Sequence, residues 1–319
     1  MGISVMKKLF VLSLCFFLQL SIADDEKLGT LFRSNNATGT LVIQSLQHGT
    51  TYVWNQDRST KKFASASTFK IFNTLIALDE GVIDPVNDQF VWDGTPYEFS
   101  DWNRNLSLPR AYKASCVWCY QKLAERIGAA TYLHHLRRAQ YGEIDTPFEG
   151  TTFWLDGSFR VSAVDQIEFL KKLYTQSLPY KSTSYAGLKS IMRAKSTADY
   201  QIYAKTGWAR RVTPEIGWYV GYVETKNDVW FFALNMNIDS PDQLGLRQQL
   251  TLEALEKLGI IAARCSVSPL AGIRRDGTEP LGRFFTSARF FCRWLFAGRG
   301  RLGSFDRCRV FTDFARGGR

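Results

Sequence analysis

The chain has 319 residues, of which 45% are hydrophobic and 22% charged, and a formal charge of +10. That composition suits one large folded domain or two ordinary ones and excludes a fully disordered chain, a fibre or a coiled coil. After the first 25 residues no apolar run reaches membrane-spanning length, which excludes a multi-spanning membrane protein.

The charge is concentrated at one end. Residues 262–319 contain twelve arginines, no lysine and four acids (Asp276, Glu279, Asp306, Asp313), and so carry +8 of the +10. The preceding residues carry only +2, so their composition points to no nucleic-acid partner. The tail also lacks Asn, Gln, Met, Tyr and His, and has no period of 2 or 3.6 that would define an element. A basic-aromatic arm for membrane or nucleic acid is one reading. Translation past the normal end of the gene, or out of frame, is preferred, because the residue vocabulary changes abruptly.

In chain order, Lys7 and Lys8 precede an apolar stretch over residues 9–20, broken only by Ser13 and Gln19. Ser21-Ile22-Ala23 then places small residues where signal peptidase reads, so residues 1–23 are expected to be a secretory signal peptide cleaved after Ala23. Of the six cysteines, Cys15 leaves with that leader, while Cys265, Cys292 and Cys308 lie in the tail. Cys116 and Cys119 remain in the mature body. An oxidising compartment would allow them to pair, C-x-x-C alone is also a redox pattern, and no second pair or His cluster supports a metal. Positions this close along a helix would strain a disulfide.

Alternating runs at residues 40–46 and 51–55, around His48-Gly49, predict a hairpin. Helical periodicity follows at residues 67–80, ended by Gly81, at 117–127, ended by Gly128, at 131–139, and at 163–174 behind Ser162 as N-cap. Strand patterns occupy residues 200–206, 216–223 and 229–237, with Gly207 and Lys226-Asn227-Asp228 as the breaks. Residues 244–258 form a last amphipathic helix, stopped by Gly259. Strands at both ends with helices between them predict an α+β fold: one antiparallel sheet flanked by terminal helices, plus a helical lobe. The cleft between lobe and sheet is the expected place for a site.

Ser-x-x-Lys occurs twice, at Ser59–Lys62 in a charged run read as a solvated loop, and at Ser67–Lys70, where an apolar helix opens. Positions i and i+3 share a helix face, so Ser67 Oγ and the Lys70 amine can approach each other at a helix end rich in free N–H groups. An ordinary capping serine with an exposed lysine is the alternative. Lys205-Thr206-Gly207 is the one K-T-G in the chain; there Gly207 would let a substrate approach the backbone and Lys205 would supply a fixed cation. Ser-x-x-Lys on a helix with K-T-G on a strand is the constellation of serine β-lactamases and penicillin-binding proteins. None of His48, His134 and His135 neighbours a nucleophile motif, which argues against a Ser-His-Asp triad. A free lysine is mostly protonated at neutral pH, so Lys70 can act as base only if desolvated or modified.

With these motifs, Ser115-Cys116-Val117, Tyr141-Gly142, FWLDGSFRVSA, AKTGW, GWYVGYV and FFALNMN, the chain resembles the class D (oxacillinase-type) β-lactamases over residues 28–261. The resemblance implies that Ser67 is the acylated nucleophile and that Lys70 is the general base after N-carboxylation by CO2. It implies that Ser115 relays a proton to the leaving nitrogen and that Trp154 donates its indole N–H to the carbamate. Val117 and Leu155 would keep that pocket dry. Lys205, Thr206 and Gly207 would face the substrate, with the N–H groups of Ser67 and Trp208 forming the oxyanion hole. Arg247, in LGLRQQ, would grip the β-lactam carboxylate.

The same resemblance implies no metal, no cofactor beyond CO2 on Lys70, and a small-molecule β-lactam as partner. It implies no nucleic acid, no stable membrane association after signal cleavage, and a secreted, periplasmic enzyme occupying residues 24–261. Oligomeric state and substrate spectrum stay open, although the loops at residues 93–110 and 209–215 are expected to shape the latter. The family usually reads Tyr-Gly-Asn where this chain has Tyr141-Gly142-Glu143, an added anion that would repel a carboxylate if it faced the cleft. A penicillin-sensing receptor domain and a cell-wall transpeptidase share the constellation. The first would be expected with a zinc-protease H-E-x-x-H segment, absent here, and the second with Ser-x-Asn where Ser115-x-Val117 stands.

Overall fold

The computed structural model describes residues 25–262. The expected leader and, beyond its first residue, the tail lie outside the described residues. In chain order the helices are α1 (Glu26–Ser34), α2 (Gln56–Ser59), α3 (Lys70–Asp79), α4 (Leu108–Lys113), α5 (Val117–Ile127), α6 (Ala129–Ala139), α7 (Ala163–Tyr174), α8 (Ser182–Met192) and α9 (Leu246–Lys257). The strands are β1 (Gly39–Ser45), β2 (Thr51–Trp54), β3 (Phe63–Ala64), β4 (Gln89–Phe90), β5 (Leu106–Ser107), β6 (Glu143–Ile144), β7 (Phe159–Val161), β8 (Arg193–Ser196), β9 (Tyr200–Ala209), β10 (Ile216–Thr225) and β11 (Val229–Asn237).

The main sheet has the order β2-β1-β11-β10-β9-β8, with every pairing antiparallel. One face packs on the terminal helices. Leu28 and Phe32 of α1 and Leu250 and Leu255 of α9 share a core with Ile43, Val223, Phe232 and Leu234. The other face carries the helical lobe, whose larger core includes Phe69, Phe72, Trp154, Trp218 and Phe231. The α+β architecture expected from the sequence is therefore the observed one.

Local signals explain several boundaries. Asp25 accepts from the Lys27 and Leu28 N–H groups and starts α1. Ser162 and Asp165 form a reciprocal capping box on α7. At α9, Gly259 takes φ 70° just beyond the last turn, a backbone position suited to glycine. Helix α3 has no polar stripe, because residues from Lys70 to Ala77 are all buried, and it runs through the lobe.

Four expectations change. Gly207 does not end a strand: β9 continues to Ala209, and the break falls at residues 210–215. The first turn of the Ser67 helix is 3₁₀, over Ala66–Phe69, before α3 begins at Lys70. Ser59 is not in a solvated loop; it is buried on α2, with its hydroxyl donated to the Gln56 carbonyl. Cys116 and Cys119 are joined by a disulfide with Cα atoms 5.5 Å apart. Cys116 caps α5 with φ −52° and ψ 115°, so it lies outside the helix and the strain expected of two helical positions does not apply.

The β9–β10 register places Gly221 opposite Ala204, and a Cβ on Gly221 would lie 2.1 Å from the Tyr203 carbonyl oxygen. Backbone cannot yield as a flexible side chain can. Gly221→Ala is expected to destabilise the fold by about 3 kcal/mol, the upper end of overpacking costs. Urea unfolding checks this, and a variant as stable as the parent would contradict the register.

Candidate active site

The lobe and the sheet meet at the Ser67 turn. Ala66, immediately before Ser67, has φ 48°, and Ser115 has φ 54°. Non-glycine residues are uncommon in that left-handed region and persist where surrounding contacts hold them, often at functional sites. The Ala66 N–H donates to the Trp154 carbonyl at 2.8 Å. Gly207 faces the same turn, and a Cβ there would come within 3.1 Å of Thr68 and 3.3 Å of the Ser65 carbonyl. A side chain there would make its neighbours shift by a few tenths of an ångström, so glycine eases the close packing of β9 on the nucleophile turn.

Behind the turn runs a buried hydrogen-bond line. The Tyr141 hydroxyl donates to Gln166 Oε1 at 2.8 Å, Gln166 Nε2 donates to Thr68 Oγ1 at 2.9 Å, and Thr68 Oγ1 donates to the Ser65 carbonyl at 2.6 Å. This gives Tyr141-Gly142 a role: Tyr141 anchors the line. Gly142, at φ 69°, lies where a Cβ would be 2.7 Å from the Arg160 carbonyl of β7.

Ser67 is 8% exposed at the cleft edge and Lys70 is 1% exposed, one turn deeper. The Lys70 amine has no hydrogen-bond partner and lies 4.6 Å from the centre of the Tyr120 ring. The structure therefore does not join it directly to Ser67. Burial first, and the neighbouring Lys205 second, hold this amine well below the usual lysine range. Trp154 is fully buried, stacked on Phe69 at 5.8 Å, and its indole N–H also lacks a partner. Val117, half-buried, and Leu155 belong to the apolar cluster that includes Phe69 and Trp154.

On the opposite wall, the Lys205 amine donates to Ser115 Oγ and, at 3.0 Å, to the Thr206 carbonyl. Burial, with Arg247 nearby, pushes Lys205 down to about 7. Arg247 donates to the Gly207 carbonyl at 2.6 Å and the Leu244 carbonyl at 2.7 Å, and burial lowers it to about 10. A Cβ on Gly217 would lie 2.8 Å from Arg247 Cδ, so that glycine admits the arginine stem. Near the end of β9, Trp208 donates its indole N–H to Glu215, and the Arg210 guanidinium covers its ring at 4.5 Å. Arg210 also bonds Glu98 at 2.8 Å, tying together the two loops expected to shape the substrate spectrum.

The structure thus gathers Ser67, Lys70, Ser115, Trp154, Lys205 and Arg247 around one lobe–sheet junction. Glu143 is exposed and paired with Lys62 at 2.5 Å, so its charge is already countered. His135 is buried between Tyr180 and Glu80, at 2.9 and 3.0 Å. Sequence reasoning missed Thr68, Gln166, Tyr120 and Trp102. Thr68 lies inside the Ser67–Lys70 motif, but its partner Gln166 is 98 residues away and Tyr120 meets Thr74 across 46, separations that no short motif records. Among the described residues, no group of His, Cys, Asp and Glu could hold a metal ion.

Residues 30–256 match the family model for the penicillin-binding-protein transpeptidase domain. The chain is similar to Beta-lactamase OXA-48 of Klebsiella pneumoniae, with 41% identity over 72% of this chain and 87% of that protein. It is also similar to Regulatory protein BlaR1 of Bacillus licheniformis, with 31% identity over 76% of this chain but only 41% of that protein. Among solved structures, the class D β-lactamase YbXI from Nostoc superposes with a TM-score of 0.72 at 37% identity, covering 73% of this chain and 99% of that one. FUS-1 (OXA-85) from Fusobacterium nucleatum gives a TM-score of 0.73 at 31% identity, covering 75% and 100%.

Two buried amines with lowered proton affinity have a consequence for stability. The unfolded chain keeps Lys205 protonated up to about 10.4, the ordinary lysine value, whereas the folded chain releases the proton near 7. Between these values the unfolded state binds more protons, so this group adds stability as pH rises and removes it as pH falls. Lys205→Met should flatten the dependence. Thermal midpoints at pH 7 and 9 should show the parent gaining on the variant at the higher pH; parallel curves would contradict the buried-amine assignment.

Proposed function

The chain belongs to the penicillin-binding-protein transpeptidase family and, within it, to the class D β-lactamases, and we propose from that premise how its own residues open a β-lactam ring. It is a serine β-lactamase, a hydrolase acting on the cyclic amide of β-lactam antibiotics and so giving resistance to them. Ser67 Oγ attacks the ring carbonyl, its proton goes to the base, and the developing oxyanion is held by the N–H groups of Ser67 and Trp208. The C–N bond breaks and Ser115, supported by Lys205, passes a proton to the nitrogen. Water then cleaves the Ser67 ester and restores the serine. Thr206 and Arg247 hold the substrate carboxylate.

The observation that carries the choice of base is the pair of unpartnered buried donors, Lys70 Nζ and Trp154 Nε1. A lone ammonium in apolar surroundings is strongly disfavoured, so burial favours the neutral form of Lys70. A neutral amine adds CO2 and releases one proton, giving a carbamate. These residues fit such a group: Lys70 would hold it, the Trp154 indole N–H would donate to it, and it would supply an anionic base.

Ser67→Ala should abolish hydrolysis and remove the penicilloyl adduct from the Ser67 peptide, read by mass spectrometry. The parent should form that adduct and turn it over; a stable adduct without turnover would favour a sensor function. Lys70→Ala should lose deacylation, and parent activity lost at low pH should return with bicarbonate. Turnover indifferent to bicarbonate at every pH would count against the carbamate. For Arg247→Ala, KM should rise more than kcat falls, with a loss of about 1.5–3 kcal/mol in kcat/KM for a charge-assisted clamp.

Residues 1–23 are read as a leader that directs the enzyme to the periplasm. The described residues contain no helix long and apolar enough to cross a membrane. The catalytic domain ends near Ile261, which is buried in the terminal-helix core. A chain cut after residue 262 should keep activity and thermal midpoint; a midpoint lower by several degrees would make the tail part of the fold.

A further inference from the structure

We propose that the Cys116–Cys119 disulfide, together with the Trp102–Trp118 pair, is a positioning device that holds Ser115 in its strained conformation for proton transfer. The inference rests on the reading of Ser115 as the proton relay. Ser115 occupies the short link between α4 and α5 and keeps φ 54°, a conformation a serine does not hold without support. Its own backbone is held locally by the cap that ends α4, with the Ser115 N–H donating to the Tyr112 carbonyl at 3.1 Å and the Cys116 N–H to the Ala111 carbonyl at 2.9 Å.

Support comes from both sides. On the N-terminal side, the Trp102 indole N–H donates to the Ala114 carbonyl at 2.9 Å, and the Trp118 indole N–H donates to the Trp102 carbonyl at 3.1 Å. On the C-terminal side, Cys116 is the N-cap of α5. Ser, Thr, Asp or Asn normally fill that position, because an oxygen accepts the free N–H groups of the first turn. Here the Cys119 N–H donates to Cys116 Sγ at 3.2 Å, a weak sulfur bond, and the covalent link between the same two residues holds the cap in place. Both cysteines are fully buried, so the link belongs to the lobe core and is not an exposed redox pair. Fixed in this way, Ser115 Oγ meets the Lys205 amine across the cleft.

The device acts through Ser115, so its effect must vanish when Ser115 is gone. Cys119→Ala and Cys116→Ala/Cys119→Ala should lower kcat by about tenfold with KM within about twofold, since loss of placement acts on the reacting geometry. Cys116→Ser/Cys119→Ala restores an oxygen cap without the link. It should stay close to the double-alanine enzyme in kcat even where it recovers thermal midpoint. In a Ser115→Ala background, measured as the acylation rate of Ser67 by mass spectrometry, adding Cys119→Ala should change nothing further. Full activity in the disulfide-free enzymes, rescue of kcat by the serine cap, or additive losses with Ser115→Ala would each overturn the proposal. A Ser115→Ala enzyme as active as the parent would instead remove the relay reading itself. Trp102→Phe, which keeps an aromatic side chain but deletes the bond to Ala114, should lower kcat in the same Ser115-dependent way.

Discussion

Burial of the Lys70 amine without a partner is the constraint around which the rest is arranged. An ammonium taken out of water with no counter-ion is costly, so burial holds the proton affinity of this amine well below the usual lysine range. The wall that imposes this is aromatic: Phe69, Tyr120, Phe153 and Trp154 are each fully buried. The same apolar packing that stabilises the lobe therefore bears on the chemistry, because a dry pocket lowers the proton affinity of an ordinary lysine. Trp154 serves twice. Its ring closes the pocket, while its carbonyl accepts from Ala66 and holds the residue before Ser67.

Placing Ser67 at the pocket's edge requires a turn that would not persist alone. Ala66 sits in a left-handed conformation, and the short 3₁₀ segment precedes the regular helix. The surroundings over-determine it: the Tyr141–Gln166–Thr68–Ser65 line from below, Gly207 of β9 from the side, and Trp154 from the facing loop. Strain of this kind is kept where several independent contacts agree. Each of these elements comes from a different part of the chain, so the turn forms only when lobe and sheet close on each other.

The opposite wall is electropositive and short of counter-ions. Lys205 is buried and Arg247 partly buried, both have lowered proton affinity, and Arg247 spends its bonds on backbone carbonyls and makes none to a carboxylate. An anionic substrate relieves that condition, which gives the cleft its preference for a carboxylate without any contact to the reacting atoms. The acid that departs from the usual family pattern, Glu143, does not weaken this field, since Lys62 pairs with it at the surface. At the mouth, the Glu98–Arg210 pair is exposed and worth little to stability, but it links the two loops that bound the entry.

Local chemistry in the sequence determined the elements with clear punctuation. Helices over residues 117–127 and 163–174 and the strand over 229–237 fall where their caps, glycines and alternation place them. The Ser67–Lys70 and Lys205–Gly207 motifs were legible because a helix turn and a strand bring their residues together within a few positions. Helix α8 was not legible: it is rich in Ser and carries Gly187, and it is held by packing on α3, where a Cβ on Gly187 would lie 3.1 Å from Leu78. The role of Gly207 was misread as a strand end, since its reason is a contact with Ser65 and Thr68, more than a hundred residues earlier. Helix periodicity argued against the Cys116–Cys119 bond, and only the cap geometry of Cys116 allows it. Gln166 matters through a partner 98 residues away in the chain. Sequence determines what each segment can form on its own; which segments meet, and hence which amine is dry and which serine is strained, is decided only when the two layers pack.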